Sequence, residues 1–269
     1  MKKEGLNFII LLSNKNYDLA LRLLEKDKLD HTFSYSVLEG IIDGKVYVDN
    51  KFEPKSALIE IENGIHHLYG SSENIPFYQW VVDKINEKVT NNQLVVLFSN
   101  ETFEIHLKDT NLTYQKNLRT TFSFNDSNFK NTLIPKIPDN LILERINEKN
   151  IKESDLFPPR FYEMYWNDTD TFLTHGFGFR LIDHENKVIC EATSPASSSN
   201  KIDLDIMTDE SFRGYGLGKF LAYHFISYGQ KNNKFTDWAC DKQNVPSYKL
   251  AKALGFEEKS EHPIYIFQR

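Results

Sequence analysis

The chain has 269 residues, 40% of them hydrophobic and 26% charged, with a formal net charge of -6, a balance that suits one large or two small globular domains with room for a core. Acidity without a cluster of lysine and arginine excludes a nucleic-acid binder, which needs a basic stripe against phosphate, and no apolar run approaches the roughly twenty residues of a membrane helix. Cys190 and Cys240 lie in apolar, strand-like stretches, the pattern of buried, reduced thiols in a cytoplasmic protein and not of a disulfide framework.

Lys2 and Lys3 before the apolar Phe8 to Leu12 imitate a secretory leader. The run is too short, however, and Asn14-Lys15-Asn16 follows where a small-residue cleavage site belongs, so Phe8 to Leu12 reads as a buried strand. Tyr17, Ala20, Leu21 and Leu24 mark a helix face. Strands are expected at Phe33 to Leu38, Val46 to Val48, Ala57 to Ile61 and Ile65 to Leu68, parted by Asp43-Gly44, Asp49-Asn50 and Asn63-Gly64 turns. A loop from Gly70 to Asn74, a helix from Pro76 to Val89 and a strand from Leu94 to Phe98 complete the first half. Adjacent His66 and His67 point to opposite faces of a strand and cannot share a metal, and no metal site is expected. Glu60 and Glu62, alternating with Ile59 and Ile61, read as a solvated face.

The polar stretch 125–140, with Pro135 and Pro138, is the expected join between lobes 1–131 and 132–269. Leu141 and Leu143 begin a strand, and the aromatic-rich Asp155 to Trp166 follows. Phe177 to Ile182 and Val188 to Ala192 form a hairpin about His184-Glu185-Asn186. After the polar loop Ser194 to Asn200, the strand Ile202 to Met207 sets Asp203, Asp205 and Met207 on one side. Arg213-Gly214-Tyr215-Gly216-Leu217-Gly218-Lys219 then opens a helix with Leu217, Phe220, Leu221, Phe225 and Tyr228 at helical spacing. Phe235 to Cys240 is the next strand. Asn244 caps a helix with Pro246 in its first turn and Gly255 past its end, and Glu257 to Phe267 closes the chain with one or two strands.

A strand, a glycine-rich turn and a helix N-terminus together make an anion cradle, with Arg213 and Lys219 adding full charges. A Walker loop ending at Gly218-Lys219 would need glycine at 213 and a hydroxyl at 220, and a Rossmann turn would need different glycine spacing. Arg213-x-x-Gly216-x-Gly218 resembles the R-x-x-G-x-G loop with which GCN5-related N-acetyltransferases hold the pyrophosphate of acetyl-coenzyme A. Asn244-x-x-Ser247, leading a helix to Gly255-Phe256, resembles the second signature of that family, in the correct order. Ile202 to Thr208, Trp238-x-Cys240 and the meandering first half also resemble two-lobed acetyltransferases of Gram-positive bacteria, a group that includes a zwittermicin A resistance enzyme.

The resemblance implies an α/β fold in which helices flank a mixed, mostly antiparallel twisted sheet. The repeated order of strands, loop, helix and strand leads us to expect the first lobe to be a diverged copy without a cofactor site, since its loop carries Glu73 and no arginine, the alternative being an unrelated α/β lobe. The implied reaction moves acetyl from acetyl-coenzyme A to a primary amine of a small molecule, an antibiotic among the acceptors, by direct attack and without a metal. The alternatives are a protein N-terminus or lysine as acceptor, or a coenzyme A-binding module without turnover. Ile206, Met207, Thr208, Arg213, Gly214, Tyr215, Gly216, Leu217, Gly218, Lys219, Asn244 and Ser247 would hold the donor. The acid tyrosine of many members is replaced by Ala251, so Ser247, then Tyr248, are the candidate acids; Glu191, Asp203 and Asp205 are candidate bases. Phe161, Tyr162, Tyr165 and Trp166 are candidates for acceptor packing.

Overall fold

The computed structural model describes residues 9–27, 29, 31–108 and 110–269; Lys2, Lys3 and the expected strand start at Phe8 lie outside them. The chain divides into two compact units, residues 1–119 with 261–269, and residues 120–260.

The first unit runs β1 (Ile10–Leu11), α1 (Tyr17–Leu24), α2 (Thr32–Leu38), β2 (Lys45–Val48), β3 (Ser56–Glu60), β4 (Ile65–Gly70), α3 (Ile75–Thr90) and β5 (Val95–Phe98). β1 to β4 form an antiparallel meander. β5 joins β4 in parallel with α3 as the crossover, because only a long connection can return the chain in the same direction. Asn74 starts α3 by accepting Phe77 N at 3.2 Å, and Phe77, Tyr78, Val81, Val82 and Ile85 pack on Leu58, Leu68 and Leu97.

Two expectations change here. Phe33 to Leu38 is helix and not strand. Its period-two pattern of Phe33, Tyr35 and Val37 misleads because the helix is enclosed on several sides: Thr32, Ser34 and Ser36 are buried along with Phe33, Val37 and Leu38. Glu60 is no solvated residue but a buried carboxylate clasped by Lys84 at 2.9 Å and Lys88 at 2.7 Å. It shares the face of Leu58 that α3 covers, and only long cations from α3 make its burial tolerable. His66 and His67 do take opposite faces: His66 Nδ1 bonds Gly64 O at 2.8 Å, and His67 Nδ1 bonds Ser34 Oγ at 2.8 Å.

β6 (Gln115–Phe124) leads into the second unit, followed by α4 (Asp126–Lys130), β7 (Ile142–Arg145), α5 (Pro159–Trp166), α6 (Thr169–His175), β8 (Gly178–Ile182), β9 (Val188–Thr193), β10 (Lys201–Asp203), β11 (Asp205–Thr208), α7 (Leu217–Lys231), β12 (Phe235–Asp241), α8 (Val245–Ala253) and β13 (Phe256–Phe267). β7, β8, β9 and β11 make one antiparallel sheet. β10 instead pairs in parallel with β12, with α7 between them in sequence. α7 buries two stripes: Leu217, Leu221 and Phe225 lie against Leu181, Ile189 and Ala192, while Ala222 and Ile226 meet Trp238, Ala251 and Leu254.

The mixed, mostly antiparallel α/β architecture is the expected one, and both units carry a strand, loop, helix and parallel strand in that order. The unit boundaries differ from lobes 1–131 and 132–269. The proline stretch falls inside the second unit, where Pro135 lies against Gly216. At the other end, Ile264 to Phe267 of β13 pair with β5 and belong to the first unit.

Candidate active site

The site is built where two sheets part. The ladder of β10 with β12 runs from Lys201↔Phe235 to Asp203↔Asp237, and beyond Leu204 the same chain pairs with β9 from Asp205↔Thr193 to Thr208↔Cys190. α7 begins just past the end of β11, bridged by a short 3-10 turn at Glu210–Phe212 that Asp209 caps through Ser211 N at 2.9 Å. Lys187 steadies that cap at 2.7 Å from Asp209.

Gly214 and Gly216 have φ of +86° and +78°, a left-handed geometry that side chains disfavour, and Pro135 Cγ would stand 3.0 Å from a Cβ at 216. The first bond at the start of α7 is Phe220 N to Gly216 O at 3.0 Å. The N–H groups of Leu217, Gly218 and Lys219 precede it and are the donors a helix start offers to an anion. Leu217 anchors the turn in the core while Tyr215 stays exposed. Arg213 is exposed at the mouth, its Nε donating to Thr208 O at 3.3 Å and its Nη1 lying 3.1 Å from Glu210 Oε1. Thr208 is held from behind by Cys190, Oγ1 to Sγ 3.2 Å; burial pushes the Cys190 thiol up to about 12, so it is a packing group and not a nucleophile. The donor set fits a diphosphate, combining the N–H groups of a helix start with one exposed guanidinium.

Across the gap, Asn244 Oδ1 accepts Ser247 N at 3.1 Å and starts α8. Ser247 Oγ accepts from Trp238 Nε1 at 3.2 Å. Tyr248 Oη donates to Glu258 Oε2 at 2.8 Å, so its proton is already committed. Ala251 is fully buried beside Trp238 in the core under α7, and no hydroxyl is available from that position.

Strand alternation puts Glu191, Thr193, Asp205 and Met207 on one face of β9 and β11, opposite the face that packs on α7. Asp205 and Met207 are exposed there, and Asp203 is half-buried. Glu191 is only 1% exposed. Tyr162 Oη donates to its Oε1 at 3.0 Å and Ser154 Oγ to its Oε2. Burial raises the Glu191 pKa, against the pull of those two hydroxyls and of Arg180. Arg180, its cross-strand partner, is itself clasped by Glu144 and Glu153, 2.9 and 2.7 Å from Nη2. Tyr162 and Trp166 are wholly buried, the latter donating to Ser194 O at 2.8 Å, so they fasten α5 to the sheet and do not line an acceptor pocket. Ser154 and the Trp238 to Ser247 bond had no local signature, since each joins separate elements; a tryptophan in an apolar strand, whose N–H must find an acceptor, was the one clue.

A family model described as GNAT acetyltransferase matches residues 22–265. The chain belongs to the GNAT acetyltransferase family and is an acyltransferase enzyme. It is 36% identical over 258 residues to the uncharacterized N-acetyltransferase YdfB of Bacillus subtilis (strain 168), covering 94% of this chain and 97% of that one. Among solved structures it is similar to a GCN5-related N-acetyltransferase-like protein from Streptococcus suis 89/1591, with TM-score 0.70, 22% identity, and 94% and 99% of the two chains covered. It is also similar in fold to a tandem GNAT protein from the clavulanic acid biosynthesis pathway, with TM-score 0.64, 10% identity, and 96% and 97% covered.

Proposed function

We propose that the chain is an N-acetyltransferase that moves acetyl from acetyl-coenzyme A to a primary amine of a small molecule in the cytoplasm, in the manner of the zwittermicin A resistance type. The observation that carries this reading is the cradle itself: the N–H groups of Leu217 to Lys219 with Arg213 at the mouth, beside a strand end at Ile206 to Thr208 and facing the Asn244-capped helix. Gly214, Tyr215, Gly216 and Gly218 complete the diphosphate seat, and the backbone of Ile206 to Thr208 with Asn244 takes the pantetheine arm. A backbone N–H near Met207 serves the thioester oxygen. Ser247 gives its proton to the departing sulfur. Asp205, exposed on the face opposite α7, is the preferred carboxylate for receiving the amine's proton, and Glu191 anchors α5. The first unit is a diverged copy of the second without a donor site.

In a melting assay acetyl-coenzyme A raises the Tm of the parent protein, and Arg213→Glu abolishes that rise, because it puts a negative charge where the diphosphate sits. A variant that melts as the parent does with the donor would remove the loop from the site. Incubation with acetyl-coenzyme A and an amine panel, read by thiol release, identifies the acceptor class; release that depends on an added amine is the expected result. Release that appears only with added protein or peptide moves the acceptor to a protein amine, and release with neither leaves a donor-binding module.

A further inference from the structure

Trp238 is 3% exposed, enclosed by Ala222, Ile226, Ala251 and Phe256. In this apolar setting its indole Nε1 reaches Ser247 Oγ at 3.2 Å. An indole nitrogen has a proton and no lone pair to offer, so the direction of this bond is fixed: Trp238 donates and Ser247 accepts. The serine's backbone N–H is engaged separately by Asn244 Oδ1. The hydroxyl therefore keeps its own proton for a third group. A bond donated into Oγ also polarises the O–H outward, strengthening the next bond in the chain. The pairing makes Ser247 a better donor and a poorer acceptor, which is what an acid needs and a base does not. Neither neighbouring position competes, since Tyr248 has given its proton to Glu258 and position 251 is alanine.

We infer that Trp238 is a positioning residue that holds Ser247 as the hydrogen-bond donor to the sulfur leaving the acyl donor. The inference rests on the acetyl-transfer reading above. In the step it serves, the amine nitrogen bonds to the acetyl carbon, the carbon–sulfur bond breaks with its electron pair on sulfur, and the Ser247 proton neutralises that charge. The surplus proton of the new amide nitrogen passes to the Asp205 carboxylate and returns from there through water to Oγ. A purely structural Trp238 would steady the core and leave the sulfur's chemistry untouched.

The test uses free coenzyme A, so it needs no acceptor. Its thiol is titrated on the saturated full-length protein by thiolate absorbance, for the parent, Ser247→Ala, Trp238→Phe and the double variant. The bound thiol is expected to titrate lowest in the parent, and Trp238→Phe is expected to move it toward Ser247→Ala while adding nothing in the double variant. With an acceptor in hand, kcat of Trp238→Phe should fall about five-fold at unchanged KM for acetyl-coenzyme A, the scale of one lost hydrogen bond. If Trp238→Phe or Ser247→Ala titrates as the parent does, the inference is overturned. If coenzyme A fails to bind the parent, it is the donor reading that falls. Should Trp238→Phe not fold, benzothienylalanine at 238 keeps the ring's shape without the N–H and must give the same shift.

Discussion

His66 is a buried imidazole whose pKa falls from 6.5 to about 4, chiefly because burial penalises the cation, with Lys88 and Lys84 adding to the effect against Gly64 O and Glu60. Between those two values the unfolded chain takes up a proton that the folded chain refuses. Stability from this group is therefore complete above the unfolded value and is lost as the pH falls toward about 4, by roughly 3 kcal/mol in all. His66→Gln should remove that slope: urea unfolding of the parent and the variant at about pH 7 and about pH 4.5 would show the parent losing more. Glu60 opposite it behaves in the contrary sense. Burial alone would raise its pKa, and hydrogen bonds from Lys88 and Lys84 more than offset this, so the carboxylate stays charged.

Among the elements, α5 shows how a segment is fastened by polar groups it could not otherwise bury. Tyr162 and Ser154 both serve Glu191, and Trp166 serves Ser194 O. Tyr162→Phe leaves Glu191 Oε1 without that donor and should cost about 1–3 kcal/mol in chemical denaturation. Since Tyr162 is wholly buried, KM for both substrates should stay unchanged; a loss confined to kcat would return Glu191 to the chemistry. None of this was legible in the chain, because the contacts join residues 29 and 37 positions apart. The loop from Arg213 to Lys219 was legible because its whole logic is local: glycine where φ is positive, a helix directly after, a cation at the mouth. Asn244 was legible for the same reason, as a cap whose partner is three residues on. α2 was misread because enclosure on several sides erases the polar stripe by which a helix is recognised.

At the scale of the molecule, two units share one order of elements but not the hydrogen bonding of the turn before the helix. Where the second unit leaves donors at the end of its strand, the first supplies its own acceptors. Asp27 Oδ2 takes Gly70 N at 3.0 Å, Lys55 O takes Ser71 N at 2.7 Å, and Asn74, which caps α3, is tied to Asp49 Oδ2 at 2.6 Å. Two carboxylates, of Asp27 and Asp49, thus hold the turn between β4 and α3. Titration calorimetry should accordingly find one acetyl-coenzyme A per chain, and none for Arg213→Glu; a second binding event would show that the first unit opens. The closing strand adds a consequence for how the protein is made. Tyr265 and Phe267 are fully buried in the core around α3, yet they follow the whole second unit in sequence. Domains usually fold in the order of synthesis, but here the first unit lacks part of its core until the second has been synthesised, so the second unit is free to fold first. A chain stopped after Ser260 would then keep the loop Arg213 to Lys219 intact and lose the first unit.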